Sequence, residues 1–267
     1  MMEERKDIYF FYKKDPKINE KVHVLIDLVE RYGFTVVPTQ EEANIIVSLG
    51  GDGMFLQAVR KSGFRQDCLY AGISLDGSEG LYCDFHINDL HHMVDAMTME
   101  KIEVRKYPVI EANIDGEDSF YCLNEFTIRS GIIKTLVLDV LIDGFLFETF
   151  RGDGMVISTP TGSTAYNKSI HGAVVDPLLP CIQVTEMGSL NNNIYRTLGS
   201  PFILSGERKL KLKVVPDGNV FPTMGMDNEA VGLQKVETVE IQLTDQVIRT
   251  IKLKDNSFFE KVKRTFL

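Results

Sequence analysis

Four cysteines in 267 residues, Cys68, Cys83, Cys122 and Cys181, are too scattered for a CxxC pair. They read as reduced, mostly buried thiols of a cytoplasmic protein. No apolar run approaches the roughly 20 residues of a membrane span. The start, Met1-Met2-Glu3-Glu4-Arg5-Lys6-Asp7, carries acids and leads straight into a strand, unlike a secretion signal. Cations are in deficit, with 29 Lys and Arg against 38 Asp and Glu and a net charge of −9. An acidic chain gains little from counterion release, so neither nucleic acid nor a membrane is an expected partner. Several motifs are absent: GxxxxGKS/T, GxGxxG and the HRD catalytic loop. Gly162-Ser163-Thr164-Ala165-Tyr166 lacks the second glycine of a hydrolase elbow. His86, His91 and His92 lack a Cys or carboxylate partner at ligand spacing and read as a solvated helix face, so no protein-held metal is assigned.

What is present is an ordinary globular composition, 44% hydrophobic and 25% charged. The first hundred residues alternate between apolar strands and helices. Ile8 to Tyr12, Phe34 to Val37, Asn44 to Leu49 and Cys68 to Ile73 have strand character. Val22, Leu25, Ile26 and Val29 recur at helical spacing, with Gly33 at the end of that helix. Phe55 to Lys61 reads as a helix closed by Gly63, and Asp89 to Met99 as another with Asn88 as N-cap. Strands apolar throughout and separated by helices predict a mostly parallel sheet covered on both faces. From about residue 104 the pattern turns to strands and tight turns, with Asp115-Gly116 and Asp143-Gly144 as hairpin dipeptides. Leu210, Leu212 and Val214 alternate with lysines, as in a half-exposed antiparallel strand. A helical pattern resumes over residues 256–267. The expected fold class is α/β plus β. An α/β domain covers 1–103, a β-rich domain 104–253, and a C-terminal helix 254–267.

Three segments carry candidate chemistry. Gly50-Gly51-Asp52-Gly53 lies between a buried strand and a helix, where open α/β sheets bind ligands. Its glycines let backbone approach phosphate oxygens, and Asp52 is placed to take a proton from a hydroxyl or to cap the helix. Asn124-Glu125 sits inside an apolar strand, where a carboxylate is costly unless paired or near a ligand. The pair suits the hydroxyls of a ribose, or else strand alternation points one residue inward and the other to solvent. Arg151-Gly152-Asp153-Gly154 precedes a strand and then Thr159-Pro160-Thr161-Gly162-Ser163-Thr164-Ala165-Tyr166-Asn167-Lys168-Ser169. That loop is dense in hydroxyls, and Tyr166 offers a flat face for a nicotinamide or adenine ring. The plain alternatives are a hairpin turn at Asp153-Gly154 and an ordinary capped loop for the Ser/Thr run.

Together these segments resemble the NAD kinase family in its bacterial form. The Thr-Pro-Thr-Gly-Ser-Thr-Ala-Tyr stretch separates it from phosphofructokinases and diacylglycerol-type lipid kinases, which share the Gly-Gly-Asp-Gly turn. The resemblance implies an α/β domain, a β-sandwich and a C-terminal tail returning to the first domain. It implies a homodimer or homotetramer. NAD and ATP are the implied substrates, with Mg2+ or another divalent metal ion accompanying ATP. Asp52 is implied to be the general base, with Gly53 beside it. Asn124 and Glu125 are implied adenosine-side contacts. Arg151 and Asp153 would flank the ligand, with Asp153 reaching it from a neighbouring subunit. Thr161, Thr164, Ala165, Tyr166, Asn167, Lys168 and Ser169 would line the dinucleotide, with Gly188 and Asn228 as further contacts.

The sequence departs from the family pattern at Met54, in place of the usual threonine, and over residues 72–81. It departs again at His171-Gly172, in place of two glycines. These differences imply altered kinetics or donor preference. Two rival readings are a lipid or sugar-phosphate kinase and a dinucleotide sensor without transfer activity.

Overall fold

The computed structural model describes residues 5–77, 80–231 and 235–267. Ser78 and Glu79 of the divergent 72–81 segment lie outside the described residues. Two compact units emerge: residues 1–107 with 248–267, and residues 108–247.

The first unit opens with β1 (Asp7–Tyr12), α1 (Pro16–Arg31), β2 (Thr35–Val36), β3 (Ile45–Leu49), α2 (Asp52–Lys61) and β4 (Leu69–Ser74). It continues through β5 (Cys83–His86), α3 (Leu90–Thr98) and the start of β6 (Ile102–Ile114). Strands β2, β1, β3, β4 and β5 pair in that order, all in parallel. β3 and β4 are buried along their whole length, so their apolar runs serve two faces at once. α1 starts on Pro16 with Asp15 as N-cap, whose carboxylate accepts from Lys17 N–H at 2.9 Å. It buries Val22, Leu25 and Val29 and ends beside Gly33 at a φ of 80°. Two local readings change. α2 begins at Asp52 rather than Phe55. α3 is capped by Asp89, not Asn88, because the Asp89 carboxylate is the one that reaches His92 N–H, at 3.2 Å.

The second unit contains β7 (Asp118–Cys122), β8 (Glu125–Arg129), β9 (Leu136–Ile142), β10 (Phe145–Gly152) and β11 (Gly154–Ser158). A 3₁₀ turn (Thr161–Thr164) and α4 (Tyr166–Ser169) follow. The remaining strands are β12 (Cys181–Met187), β13 (Phe202–Ser205), β14 (Leu210–Val214), β15 (Thr223–Met226), β16 (Glu229–Val231) and the start of β17 (Thr238–Leu253), whose end from Ile248 belongs to the first unit. One antiparallel sheet runs β13-β12-β11-β8-β15-β16. Facing residues of β8, β11, β12 and β15 share a core with β6, β9, β14 and β17, as in a sandwich. The Asp-Gly pairs 115–116 and 143–144 both take left-handed φ, which matches strand twist in a hairpin. Asp153-Gly154 is not a hairpin turn: β10 pairs with β9, whereas β11 pairs with β8 and β12, so the chain changes sheets there. The last twenty residues, from the end of β17 through α5 (Phe258–Phe266), belong to the first unit. A capping box between Ser257 and Glu260 starts α5. All four cysteines are buried and unbridged.

Candidate functional site

In the first unit β3 ends at Leu49 and the chain turns within two glycines. Gly50 has a φ of 151°, and a Cβ there would press on the Met54 side chain. Gly51 is the N-cap of α2 without a capping side chain, leaving the helix start to its backbone N–H groups. Asp52 is the first residue of α2, where the helix dipole favours a negative charge. Its carboxylate accepts from Leu81 N–H at 2.7 Å and Tyr82 N–H at 2.9 Å, one bond to each oxygen. Gly80 is required there, since a Cβ would overlap the Asp52 carboxylate. The Tyr82 ring stacks on Phe55 of α2 at 4.7 Å, fixing the segment against the helix. Gly53, next along α2, is exposed.

In the second unit both Asn124 and Glu125 are buried, 7% and 5% exposed. The alternation expected of a strand fails because Asn124 precedes β8 and only Glu125 begins it. Asp227, in the turn between β15 and β16, holds the pair from below. Its carboxylate accepts N–H groups of Leu123, Asn124 and Glu125 at 3.1, 2.7 and 3.2 Å. Its own N–H donates to Glu125 C=O at 2.9 Å. Burial, and then the charge of Asp227, push the Glu125 carboxyl up to about 8, against a bond from Tyr166 N–H. Glu125 is therefore neutral near pH 7 and able to donate as well as accept. Its Oε2 is buried with no hydrogen-bond partner among the described residues. Asn228, beside Asp227, is exposed. Sequence reading passed over Asp227. An aspartate in a strand-joining turn is its only local signal.

The hydroxyl-rich loop turns most of its hydroxyls on itself. Thr159 Oγ1 donates to Leu123 C=O at 2.6 Å and accepts Gly162 N–H at 3.0 Å. Thr161 is fully buried, with its hydroxyl 3.0 Å from that of Thr159. Ser163 Oγ donates to Pro160 C=O at 2.6 Å and accepts Val175 N–H at 2.9 Å. Thr164 bonds Thr161 C=O at 3.3 Å and Ser169 bonds Tyr166 C=O at 2.7 Å. Asn167 is buried and accepts the Thr185 hydroxyl at 2.6 Å. Gly162 packs so closely that a Cβ would overlap the Asn124 backbone. Tyr166, 37% exposed, and Ser169 are what the loop leaves toward solvent, with Thr164, Ala165 and Lys168 half-buried beside them. His171 carries a φ of 66°, which costs a side chain about 1 kcal/mol relative to glycine. Gly172 cannot be replaced so cheaply, because its Cβ would overlap the Asn167 amide.

A neighbouring group forms around the β10–β11 crossing. Arg151 pairs with Asp217 at 2.5 Å and lies over the Tyr195 ring at 4.4 Å. Asp153 is exposed, and Gly188 leaves room for it at a φ of 55°. A Cβ at Gly188 would stand 2.5 Å from Asp153 Oδ2. The Tyr166 hydroxyl contacts Met187 Sδ at 3.6 Å, joining this group to the loop. Of the predicted residues, 124–125, 151–153, 161–169, 188 and 228 belong to the second unit, and Asp52 and Gly53 to the first. Among the described residues no three His, Cys, Asp or Glu side chains group to hold a metal ion. No helix among them is long and apolar enough to cross a membrane.

Comparison with known proteins accounts for the whole chain. Residues 123–253 match the family described as ATP-NAD kinase C-terminal domain. The chain is 64% identical to "NAD kinase 2" of Bacillus subtilis over 267 residues, covering 100% of each. It is 62% identical to "NAD kinase 2" of Bacillus licheniformis over 266 residues, again covering 100% of each. A yeast NADH kinase complexed with NADH superposes with a TM-score of 0.78 at 19% identity, over 97% of this chain and 86% of that one. An Archaeoglobus fulgidus NAD kinase in complex with ATP superposes with a TM-score of 0.75 at 21% identity, over 96% and 98%. The two structures share the fold, the curated relatives share the sequence throughout, and the chain belongs to the NAD kinase family.

Proposed function

We propose that this protein transfers the γ-phosphoryl group of ATP to the 2′-hydroxyl of the adenosine ribose of NAD, giving NADP. The observation that carries the reading is the Asp52 carboxylate, fixed by two backbone N–H groups at the start of α2 in a chain of this family. Each oxygen keeps a lone pair after accepting its N–H, so the group can still receive the hydroxyl proton. Phosphoryl transfer passes through a loose transition state, and its rate depends on in-line placement of hydroxyl and phosphorus. Asp52 orients the ribose hydroxyl and takes its proton as the new O–P bond forms. Magnesium would enter with ATP as the MgATP substrate and would supply charge neutralisation for the transferring phosphoryl group.

NAD is held by the second unit in this reading. Glu125, neutral near pH 7, and Asn124 address ribose hydroxyls. Ala165 and Tyr166 present the apolar face for a ring, and Thr161, Thr164, Asn167, Lys168 and Ser169 shape the loop around it. Arg151 and Asp153 flank the dinucleotide, with Gly188 and Asn228 at its edge. A cytoplasmic homodimer or homotetramer, with Asp153 serving a neighbouring subunit, completes the proposal.

The test is NADP formation from NAD, ATP and Mg2+, read through an NADP-specific dehydrogenase. Asp52→Asn is expected to lower turnover by about 10²- to 10⁴-fold while NAD still binds. A near-full rate in that variant removes Asp52 as the base. NAD binding without NADP formation by the unsubstituted protein, with ATP or polyphosphate, leaves a dinucleotide sensor.

A further inference from the structure

Beneath the Asp52 turn lies a buried ionic cluster that the chemistry above does not use. Asp84 of β5, Lys252 of β17 and Lys261 of α5 are 0%, 0% and 5% exposed at their side chains. Lys252 Nζ donates to Asp84 Oδ1 at 3.0 Å, and Lys261 Nζ to the same oxygen. The other Asp84 oxygen accepts Leu253 N–H at 2.8 Å. One carboxylate thus faces two ammonium groups, an arrangement whose desolvation cost makes it a poor device for stability alone.

The remaining bonds of the two lysines converge on one short stretch of backbone. Lys261 Nζ donates to Gly80 C=O at 3.1 Å and Leu81 C=O at 2.8 Å. Lys252 Nζ donates to Leu81 C=O at 2.9 Å and Tyr82 C=O at 2.7 Å. The peptide joining Gly80 to Leu81 carries the N–H that binds Asp52 Oδ2. The peptide joining Leu81 to Tyr82 carries the N–H that binds Asp52 Oδ1. Both peptides therefore have a cation on the oxygen and the Asp52 carboxylate on the nitrogen. A cation at a carbonyl polarises its peptide and strengthens the bond its N–H makes.

We propose that Lys252 and Lys261, balanced by Asp84, are positioning residues that hold the Asp52 carboxylate through the peptides of Leu81 and Tyr82. The inference rests on the reading of Asp52 as the base. It places the final helix of the chain in the catalytic apparatus, at the far end of two peptide groups. The groups facing Lys261 are Asp84 and Cys83 from β5, Lys252 from β17, Tyr107 from β6, and Asp52 through the peptides. Burial, with Lys252 adding to it, holds Lys261 down to about 8. Loss of its proton then releases one carbonyl-bound cation, and turnover falls through that pH.

The test is Lys261→Met, which keeps the length of the side chain and removes its charge. Turnover is expected to fall about ten- to a hundredfold, with the NAD KM within about twofold, because a displaced base affects the transition state more than binding. The alkaline fall in kcat near pH 8 should disappear in the variant. A rate lost in Asp52→Asn but kept, with its pH profile, in Lys261→Met overturns the positioning role and leaves the base assignment standing. A rate that survives Asp52→Asn overturns both. If Lys261→Met does not fold, the amide protons of Leu81 and Tyr82 in the unsubstituted enzyme decide. They should move together as Lys261 titrates, and resonances that stay fixed while Nζ titrates overturn the proposal.

Discussion

Asp52 and Glu125 are both carboxylates, one half-buried and the other buried, and their surroundings give them different tasks. Asp52 has a backbone N–H for each oxygen and stands at the first residue of α2, so its carboxylate is held in one orientation. Glu125 sits 5% exposed above the charge of Asp227, with one oxygen lacking a partner among the described residues, and is held neutral. A carboxylate held in one orientation suits proton removal, and a neutral acid suits hydrogen bonding in both directions. Residue type alone would have assigned the two the same chemistry.

The strongest way to break the contrast is at Gly80, where a methyl group overlaps the Asp52 carboxylate. Gly80→Ala should lower turnover about a hundredfold with NAD affinity retained, as measured by steady-state rates and calorimetry. In the second unit, Gly162→Ala forces a Cβ against Asn124 backbone and should destabilise by about 1–3 kcal/mol in urea unfolding. Asp227→Asn keeps one acceptor oxygen but replaces the other by a donor and removes the charge, which should cost about 1–3 kcal/mol. It also sharpens the comparison, because removing the charge below Glu125 should lower the pH at which Glu125 ionises, read by carboxyl NMR.

The smallest effect concerns pH. A folded Glu125 near 8, against 4.5 for a glutamate in water, binds its proton more tightly than the unfolded chain does. Its contribution is therefore full below about 4.5 and is lost as pH rises toward about 8. Unfolding midpoints of the natural protein and Glu125→Gln should diverge across that window. Parallel curves would mean Glu125 is not held neutral.

Much of this fold is legible in the chain because its causes are local. Gly33 and Gly63 end helices where φ must be positive, and the Asp-Gly pairs 115–116 and 143–144 make hairpin turns. Leu210, Leu212 and Val214 announce one buried face by alternation. The apolar runs that became β3 and β4 needed no partner to be recognised as strands. The hairpin alternative fails at Asp153-Gly154, because a turn dipeptide says nothing about which sheet the next strand joins.

By itself the sequence determined these periodic and turn-driven elements and displayed the Gly-Gly-Asp-Gly and Thr-Pro-Thr-Gly-Ser-Thr-Ala-Tyr segments. Tertiary structure alone decided that Asp227 supports residues 123–125 from 102 to 104 positions away. It alone decided that Lys252 and Lys261 reach residues 80–84 across separations of 168 to 181. Such bonds join a side chain to distant backbone, follow no helical or strand period, and exist only once the sheet and final helix are packed.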